Sequence, residues 1–427
     1  EADAEQLLAR RAEEERGVDQ SRPQRFHRET VLLLSLVHAL LGNIEEAERC
    51  AREGITIGQQ LHSDFVEAVG FMRLGHPLQL RRGAAWAGSE HKPVQQAIAY
   101  YQRAIDQVRT FKVMRTQVEP LWGLCRALGY YGDLAAAERV AEEALEIVQR
   151  AGDEWMQNLV QLTRGASHAL AGQPEEASEQ LGEAAQGFGR VGDPFGQSAA
   201  WLWLALTAWW QEDADEAAGY LSDLLAVVRE RGYDGLLTKR TFIGLHDEQA
   251  AIPLLLEAQR RGIERGYVGR LLERQGLAEV EYHPGCALSV RTLGTFAVWR
   301  GDEPVRVRDW KREKARQIFQ LLLTYPRQWF YREQIVDQLW PHLPPDAAER
   351  DFKVALNALN GALEPHRPRG APPFFVIRRG NVYGLNPLAR VMVDVADFER
   401  LAASDDIGAL RQALALYEED YLPDSMY

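Results

Sequence analysis

Over roughly the first 280 residues the apolar positions recur three and four apart, the spacing of one helix face. The intervening residues are rich in Ala, Glu, Gln and Arg, and runs of alternating β-branched residues are few. A short pattern then returns along the chain. Leu41-Gly42-Asn43-Ile44-Glu45-Glu46-Ala47-Glu48 is echoed by Tyr131-Gly132-Asp133-Leu134-Ala135-Ala136-Ala137-Glu138. Further echoes are Ala171-Gly172-Gln173-Pro174-Glu175-Glu176-Ala177 and Gln211-Glu212-Asp213-Ala214-Asp215-Glu216-Ala217. The last three alanines, 137, 177 and 217, are 40 residues apart; Ala97 lies one such step earlier, and Ala47 lies 50 before that.

This spacing predicts paired helices. Gly closes one helix in the left-handed region, Asn or Asp caps the next, and Pro93 and Pro174 suit a first helical turn. A small Ala lets the two helices of a pair approach closely. A single pair cannot bury its apolar stripe, so stacked pairs share a core and form a solenoid. The pattern resembles tetratricopeptide repeats, in the long 40-residue form of the effector-sensing arms of large bacterial regulators. The resemblance covers about residues 20–235. Residues 236–280 read as closing helices, which gives an array over 1–281.

Aromatic residues within the array have two readings. Core or interlayer packing accounts for most of Trp201, Trp203, Trp209 and Trp210 on or near one helix, and of Tyr100-Tyr101 and Trp122 on others. Trp122, Trp201 and Trp209 are the candidates to line an inner groove that takes a small effector or a protein partner. Trp201 and Trp209 are about two turns apart and can share a face.

The segment Tyr282-His283-Pro284-Gly285-Cys286 interrupts the helical pattern, so residues 282–287 read as a linker. Periodicity then changes to two. Leu288, Val290 and Thr292, then Phe296 and Val298, then Val305 and Val307 predict a small antiparallel sheet turning at Gly301-Asp302-Glu303. Helical spacing resumes with Ala315, Ile318, Phe319 and Leu322, preceded by Lys311 and Arg312. A second helix is expected over Arg332–Leu339. A third is signalled by Asp346 and Glu349 at capping-box spacing and by the stripe Phe352, Leu356, Leu359, Leu363. On its adjacent face 100° per residue brings Arg350, Lys353, Asn357 and Asn360 together. Phe375, Ile377, the turn Arg378-Arg379-Gly380-Asn381, Val382 and Leu385 predict a final hairpin.

Charge sharpens this division. The whole chain carries -13, yet residues 288–393 hold 17 Lys/Arg against 10 Asp/Glu, leaving the rest strongly acidic. A basic domain on an acidic body is the electrostatic footprint of a nucleic-acid binder, although a solvated basic face has the same composition. A helix anchored by its apolar side and presenting Arg, Lys and Asn has the donors that a major groove requires. Arginines near a hairpin tip suit phosphate or minor-groove contact.

Residues 288–427 resemble the winged helix of response-regulator output domains and of the Streptomyces antibiotic regulatory proteins, with the bacterial transcriptional activator domain that follows it. The shared motifs are Leu293-Gly294-Thr295-Phe296, Trp310 through Arg316, Arg332 through Pro341, Phe352 through Leu363 and Gly380 through Leu385. Val393 through Glu399 and Leu416 through Asp424 match the opening of the helical activator domain. One departure stands out: where relatives carry Arg after the matching leucine, this chain has Asn360 and then Gly361. The resemblance implies a mainly α protein: a helical solenoid at 1–281, an α+β winged helix-turn-helix domain at 288–393, and the start of a further helical domain at 394–427. It implies a cytoplasmic regulator of transcription that binds double-stranded DNA through Arg350, Lys353, Asn357, Arg378, Arg379, Lys311 and Arg312. RNA polymerase is an expected partner, and, as in large relatives, an ATPase module is expected upstream if the chain is a piece of a larger parent protein; a processed or naturally short regulator is the alternative. A repeat-based protein-interaction scaffold whose winged helix does not bind DNA is the alternative.

Catalytic chemistry is not legible. There is no Gly-rich loop ending in Gly-Lys-Ser/Thr and no nucleophile elbow, so neither an enzyme nor a bound cofactor is expected. Cys50, Cys125 and Cys286 are too few and too scattered for a disulfide framework or a zinc ribbon. His27 with His38, His62 with His76, and His283 with Cys286 lack the spacing of a metal centre. No apolar run suggests a membrane span or a signal peptide.

Overall fold

The computed structural model describes residues 27–81, 91–111 and 113–423. Residues 1–26 of the expected array and 424–427 of the closing segment lie outside them. The described residues divide into two compact units, one ending at Leu271 and the other beginning at Leu272.

The first unit is a tetratricopeptide-like helical solenoid. Its described residues hold five pairs: α1 (His27–Leu40) with α2 (Ile44–Gln60), α3 (Asp64–Leu80) with α4 (His91–Thr110), α5 (Val118–Tyr130) with α6 (Leu134–Ala151), α7 (Glu154–Leu170) with α8 (Pro174–Val191), and α9 (Pro194–Trp210) with α10 (Ala214–Arg231). Each helix packs on the next, and the leading helices α1, α3, α5, α7 and α9 also pack on one another in series. A short α11 (Gly235–Thr238), then α12 (Ala251–Arg261) and α13 (Arg265–Arg274), follow.

The glycines of the recurring motif act as their chemistry dictates: Gly42, Gly132 and Gly172 all take positive φ. At the alternate turns, outside that motif, Gly152, Gly192 and Gly232 cap α6, α8 and α10 in the left-handed region. Asp133, Asp153, Asp193 and Asp213 accept backbone N–H groups at the starts of the helices they precede. Asn43 does not cap α2; its amide accepts from Lys239 Nζ at 3.1 Å instead. Ala47, Ala97, Ala137, Ala177 and Ala217 are all buried, as close packing within the pairs requires.

In the second unit a four-stranded sheet leads. β1 (Leu288–Arg291) pairs antiparallel with β2 (Ala297–Arg300) and parallel with β7 (Val391–Val393), and β2 pairs with β3 (Glu303–Pro304). Three helices follow, α14 (Glu313–Thr324), α15 (Arg332–Leu339) and α16 (Pro345–Leu363). A hairpin of β5 (Val376–Arg379) and β6 (Val382–Leu385), joined by β4 (Phe330–Tyr331), completes the layer. Ile318, Phe319, Phe352, Leu359, Phe375 and Val290 share one core. α17 (Asp394–Ala402) and α18 (Ile407–Leu416) come after. Asp394 fixes their start: its buried carboxylate accepts from the N–H groups of Thr292 and Leu293 and from the Thr292 hydroxyl. The Leu422 N–H then donates to the Thr292 carbonyl, and Leu422 enters the same core.

Three expectations are corrected. Residues 282–287 are not a linker: Tyr282 and Cys286 pack on the core, and buried His283 meets the Phe374 ring edge-on at 4.3 Å. The strand expected at Val305 and Val307 ends at Pro304, and Val307 stands 87% exposed in a 3-10 turn. Asp346 does not cap α16, which begins one residue earlier on Pro345; its N-cap position is Pro344, whose side chain has no acceptor, and Asp346 lies inside the first turn.

Candidate functional site

The core stripe of α16 is Ala348, Phe352, Ala355, Leu359 and Leu363, all buried. Arg350, Lys353 and Asn357 are exposed on the other side. Asn360 was expected to join them, but it is 5% exposed and its Oδ1 has no partner among the described residues. At 100° per residue Asn360 falls between Lys353 and Leu356, and the core extends far enough around the helix to cover it.

Acidic residues missed by the sequence reading organise this face. Glu349 takes Lys353 Nζ at 3.0 Å and Arg332 Nη1 at 2.8 Å. The Lys353 hydrogen bond and then the Arg332 charge hold its carboxyl below the usual range. Arg332 also meets Glu333 at 3.0 Å, and Glu333 accepts from Asn381 in the hairpin turn at 3.2 Å. One polar network therefore ties α15, α16 and the hairpin together. Only the Glu349–Lys353 spacing, four apart on a helix, could have signalled it.

The remaining basic residues surround this network. Lys311 is exposed with φ at 59°. Arg312 pairs with Asp351 of α16 at 2.9 Å, and the Trp340 indole N–H donates to the same carboxylate at 2.7 Å. Arg378 and Arg379 end β5, one step before the turn itself, and both are exposed. Arg378 Nε donates to the Gly380 carbonyl at 2.6 Å, while the Arg379 guanidinium lies 4.5 Å from the centre of the Trp329 ring. Stacking and short backbone bonds limit the rotamers of both arginines, so their charges are held in place.

In the array, the inner surface made by the leading helices is already occupied. Residues 239–246 run along it without regular secondary structure. Phe242 is fully buried, 4.1 Å from the His76 ring centre and edge-on to Trp122 at 4.9 Å. Its N–H donates to the Ala39 carbonyl at 3.0 Å, and its carbonyl accepts from Arg126 Nε at 2.8 Å. The Trp203 indole N–H donates to the Ile243 carbonyl at 3.3 Å. Side chains of α5 and α9, and the backbone of α1, thus hold this segment by its main chain.

Trp122, expected to offer a groove to an outside ligand, is covered by Phe242, and its own N–H is used by Thr163 at 2.8 Å. Trp201 and Trp209 are half-buried, while Trp203, not among those groove candidates, is the tryptophan that clamps the segment.

Two potential ligand clusters are also filled from within. The ligand atoms of His38, Glu46 and Cys50 lie within 4.8 Å of one another. Arg49, however, donates to Glu46 at 2.7 Å and reaches Cys50 Sγ at 3.6 Å, placing a cation against two of the three. His283 Nδ1 accepts from the Gly285 N–H at 3.0 Å, which occupies one of the two ring nitrogens near Cys286.

No protein-family model matches the chain, and no curated protein matches it. Among solved structures it is similar to a Rap protein complexed with competence and sporulation factor, at 12% identity and a TM-score of 0.46, covering 64% of this chain and 76% of that one. It is also similar to a signal transduction ATPase with numerous domains and a tetratricopeptide repeat sensor from Pyrococcus horikoshii, at 13% identity and a TM-score of 0.40, covering 64% of this chain and 43% of that one. A kinesin light chain of nearly identical repeats from Podospora anserina follows at 16% identity and a TM-score of 0.34, covering 48% and 96%. These likenesses assign no ligand to this chain. No helix of the described residues is long and apolar enough to cross a membrane.

Proposed function

We propose that this chain is a sequence-specific, double-stranded DNA-binding regulator of transcription, with the helical array as its sensor or protein-interaction module. The observation that carries this reading is α16: it is anchored by Phe352 and Leu359 and presents Arg350, Lys353 and Asn357 beside a hairpin bearing Arg378 and Arg379. In this winged-helix reading Asn357 and Arg350 reach base edges in the major groove, with Asn suited to adenine and Arg to guanine. Arg378 and Arg379 hold the phosphate backbone or a narrow groove. RNA polymerase and an upstream ATPase remain partners suggested by the family resemblance alone.

A second reading has a specific observation behind it. Lys353 and Arg312 are partly neutralised by Glu349 and Asp351, which suits a protein-binding face better than a strongly cationic one.

Titration of selected and scrambled duplexes over a salt series separates the two. Asn357→Ala is expected to lose about 1–3 kcal/mol on the selected site only. Arg378→Ala is expected to weaken both duplexes alike and lower the salt slope by about one. Wild-type binding by the Arg350, Lys353 and Arg378 triple alanine variant would sink the DNA reading.

A further inference from the structure

The outward strip of α16 is not wholly polar. Val354 stands 44% exposed, four residues after Arg350 and three before Asn357, both of them exposed too. An exposed valine alone needs no explanation; this one is singled out by its phase. At 100° per residue, Arg350, Val354, Asn357 and Gly361 fall within about 60° of one another, on the side opposite Phe352 and Leu359. Val354 therefore lies within the surface that a groove would meet first.

The same strip ends in a gap. Gly361 is exposed within the helix, one turn beyond Asn357. A Cβ added there would meet nothing within 4 Å, and its φ is not positive, so neither packing nor backbone conformation calls for glycine. Glycine weakens a helix relative to alanine, through the backbone freedom that it loses. Gly182 and Gly219 are likewise open positions in helices of the array, so openness alone marks nothing. What distinguishes Gly361 is its place on the strip: bare backbone there lets a partner come close to the helix beside Val354 and Asn357.

A duplex offers one chemistry suited to this arrangement. In the major groove, the apolar group that tells one base edge from the others is the C5 methyl of thymine. Arg350 and Asn357 are seven residues apart, about 10 Å along the axis, or about three base-pair steps. With α16 along the groove, Val354 then lies over a base pair between the two that they read. Its methyl groups neither donate nor accept, so a polar base edge pressed against them would lose water without return.

We propose that Val354 is a specificity-determining residue that packs on the C5 methyl of a thymine, and that Gly361 gives the groove room to approach it. The inference rests on the DNA-binding reading of α16 and adds to it a base that neither Arg350 nor Asn357 would select.

The test uses the full chain and the duplex that it selects from a random pool. Each thymine of that duplex is replaced in turn by deoxyuridine, which removes only the C5 methyl. One replacement, flanked by the positions whose preference Arg350→Ala and Asn357→Ala relax, is expected to weaken binding about fourfold, the worth of one buried methyl group. Val354→Ala is expected to bind the thymine and uracil duplexes alike. Gly361→Leu, a better helix former with open space around it, is expected to keep the urea midpoint and yet lose about tenfold in affinity for every duplex. If the duplex is bound and no uracil replacement matters, or the same loss persists in Val354→Ala, the thymine contact is wrong while DNA binding stands. Undiminished affinity of Gly361→Leu removes the close approach and overturns the inference too. Absence of duplex binding by the unaltered chain overturns both readings and leaves Val354 to a protein-binding face.

Discussion

The two units bury apolar surface by different means. The array stacks one motif five times in the described residues and then covers its own inner surface with residues 239–246. The second unit builds a non-repeating core and leaves one whole side of α16 exposed, with Arg350, Lys353 and Asn357 on it. In the array, an aromatic residue facing inward is no sign of a ligand, because the chain supplies the partner. In the second unit, a polar residue facing outward from a well-anchored helix is the informative feature.

The contrast can be broken at the array first. Phe242→Ala removes the ring that His76, Trp122 and Arg126 enclose, and should cost about 3–5 kcal/mol in urea denaturation. A loss below about 1 kcal/mol would mean that the segment rests on the inner surface without supporting it. Ala177→Leu should cost about 1–3 kcal/mol through overpacking between paired helices. An unchanged denaturation midpoint would count against close approach at the repeating alanines.

The second unit has its own stability signature. Burial pushes the His283 imidazole down to about 3, and its Nδ1 must stay unprotonated to accept from Gly285. The unfolded chain therefore takes up this proton first, near pH 6.5. The contribution is complete above that pH and is lost as pH falls towards 3, at about 1.4 kcal/mol per pH unit. Between pH 6.5 and 5 the wild type should lose stability more steeply than His283→Gln; parallel slopes would refute the buried neutral ring. The smallest effect is expected at the exposed face. Glu349→Gln frees Lys353, leaves Arg332 on Glu333 alone, and should tighten duplex binding a few-fold at low salt, with the gain fading as salt rises. Weaker binding would mean that Glu349 positions those cations for DNA.

Much of the architecture was legible because local chemistry and tertiary packing agree. The Gly and Asp turns, the 40-residue alanine spacing and the three helices of the second unit follow from residues acting within a turn or a hairpin. What escaped the sequence depends on distant partners. Residues 282–287 carry a loop's Pro and Gly, yet Phe374 and the core draw them in from far along the chain. Nothing local marks Asp394 as the acceptor for the Thr292 and Leu293 N–H groups, about 100 residues back along the chain. At the candidate site, helical phase placed Arg350, Lys353 and Asn357 outside, but it could not fix how far the core wraps round to Asn360. Nor could it foresee that Arg332, Glu333, Glu349 and Asn381 would join across three elements.

The segment at 239–246 also bears on how the array is made. Repeat arrays assemble by nearest-neighbour contacts, so early pairs can settle while later ones are still being synthesised. Here Arg126 reaches its backbone partner 116 residues onward, and Asn43 meets Lys239 across 196 residues. Such distant closures slow folding. During synthesis Trp122, His76 and Trp203 leave the ribosome well before Phe242, so the nascent array presents an uncovered aromatic surface that chaperones, or a second nascent chain, can reach. The repeats can form one by one, but their inner surface is covered only when residues 239–246 arrive.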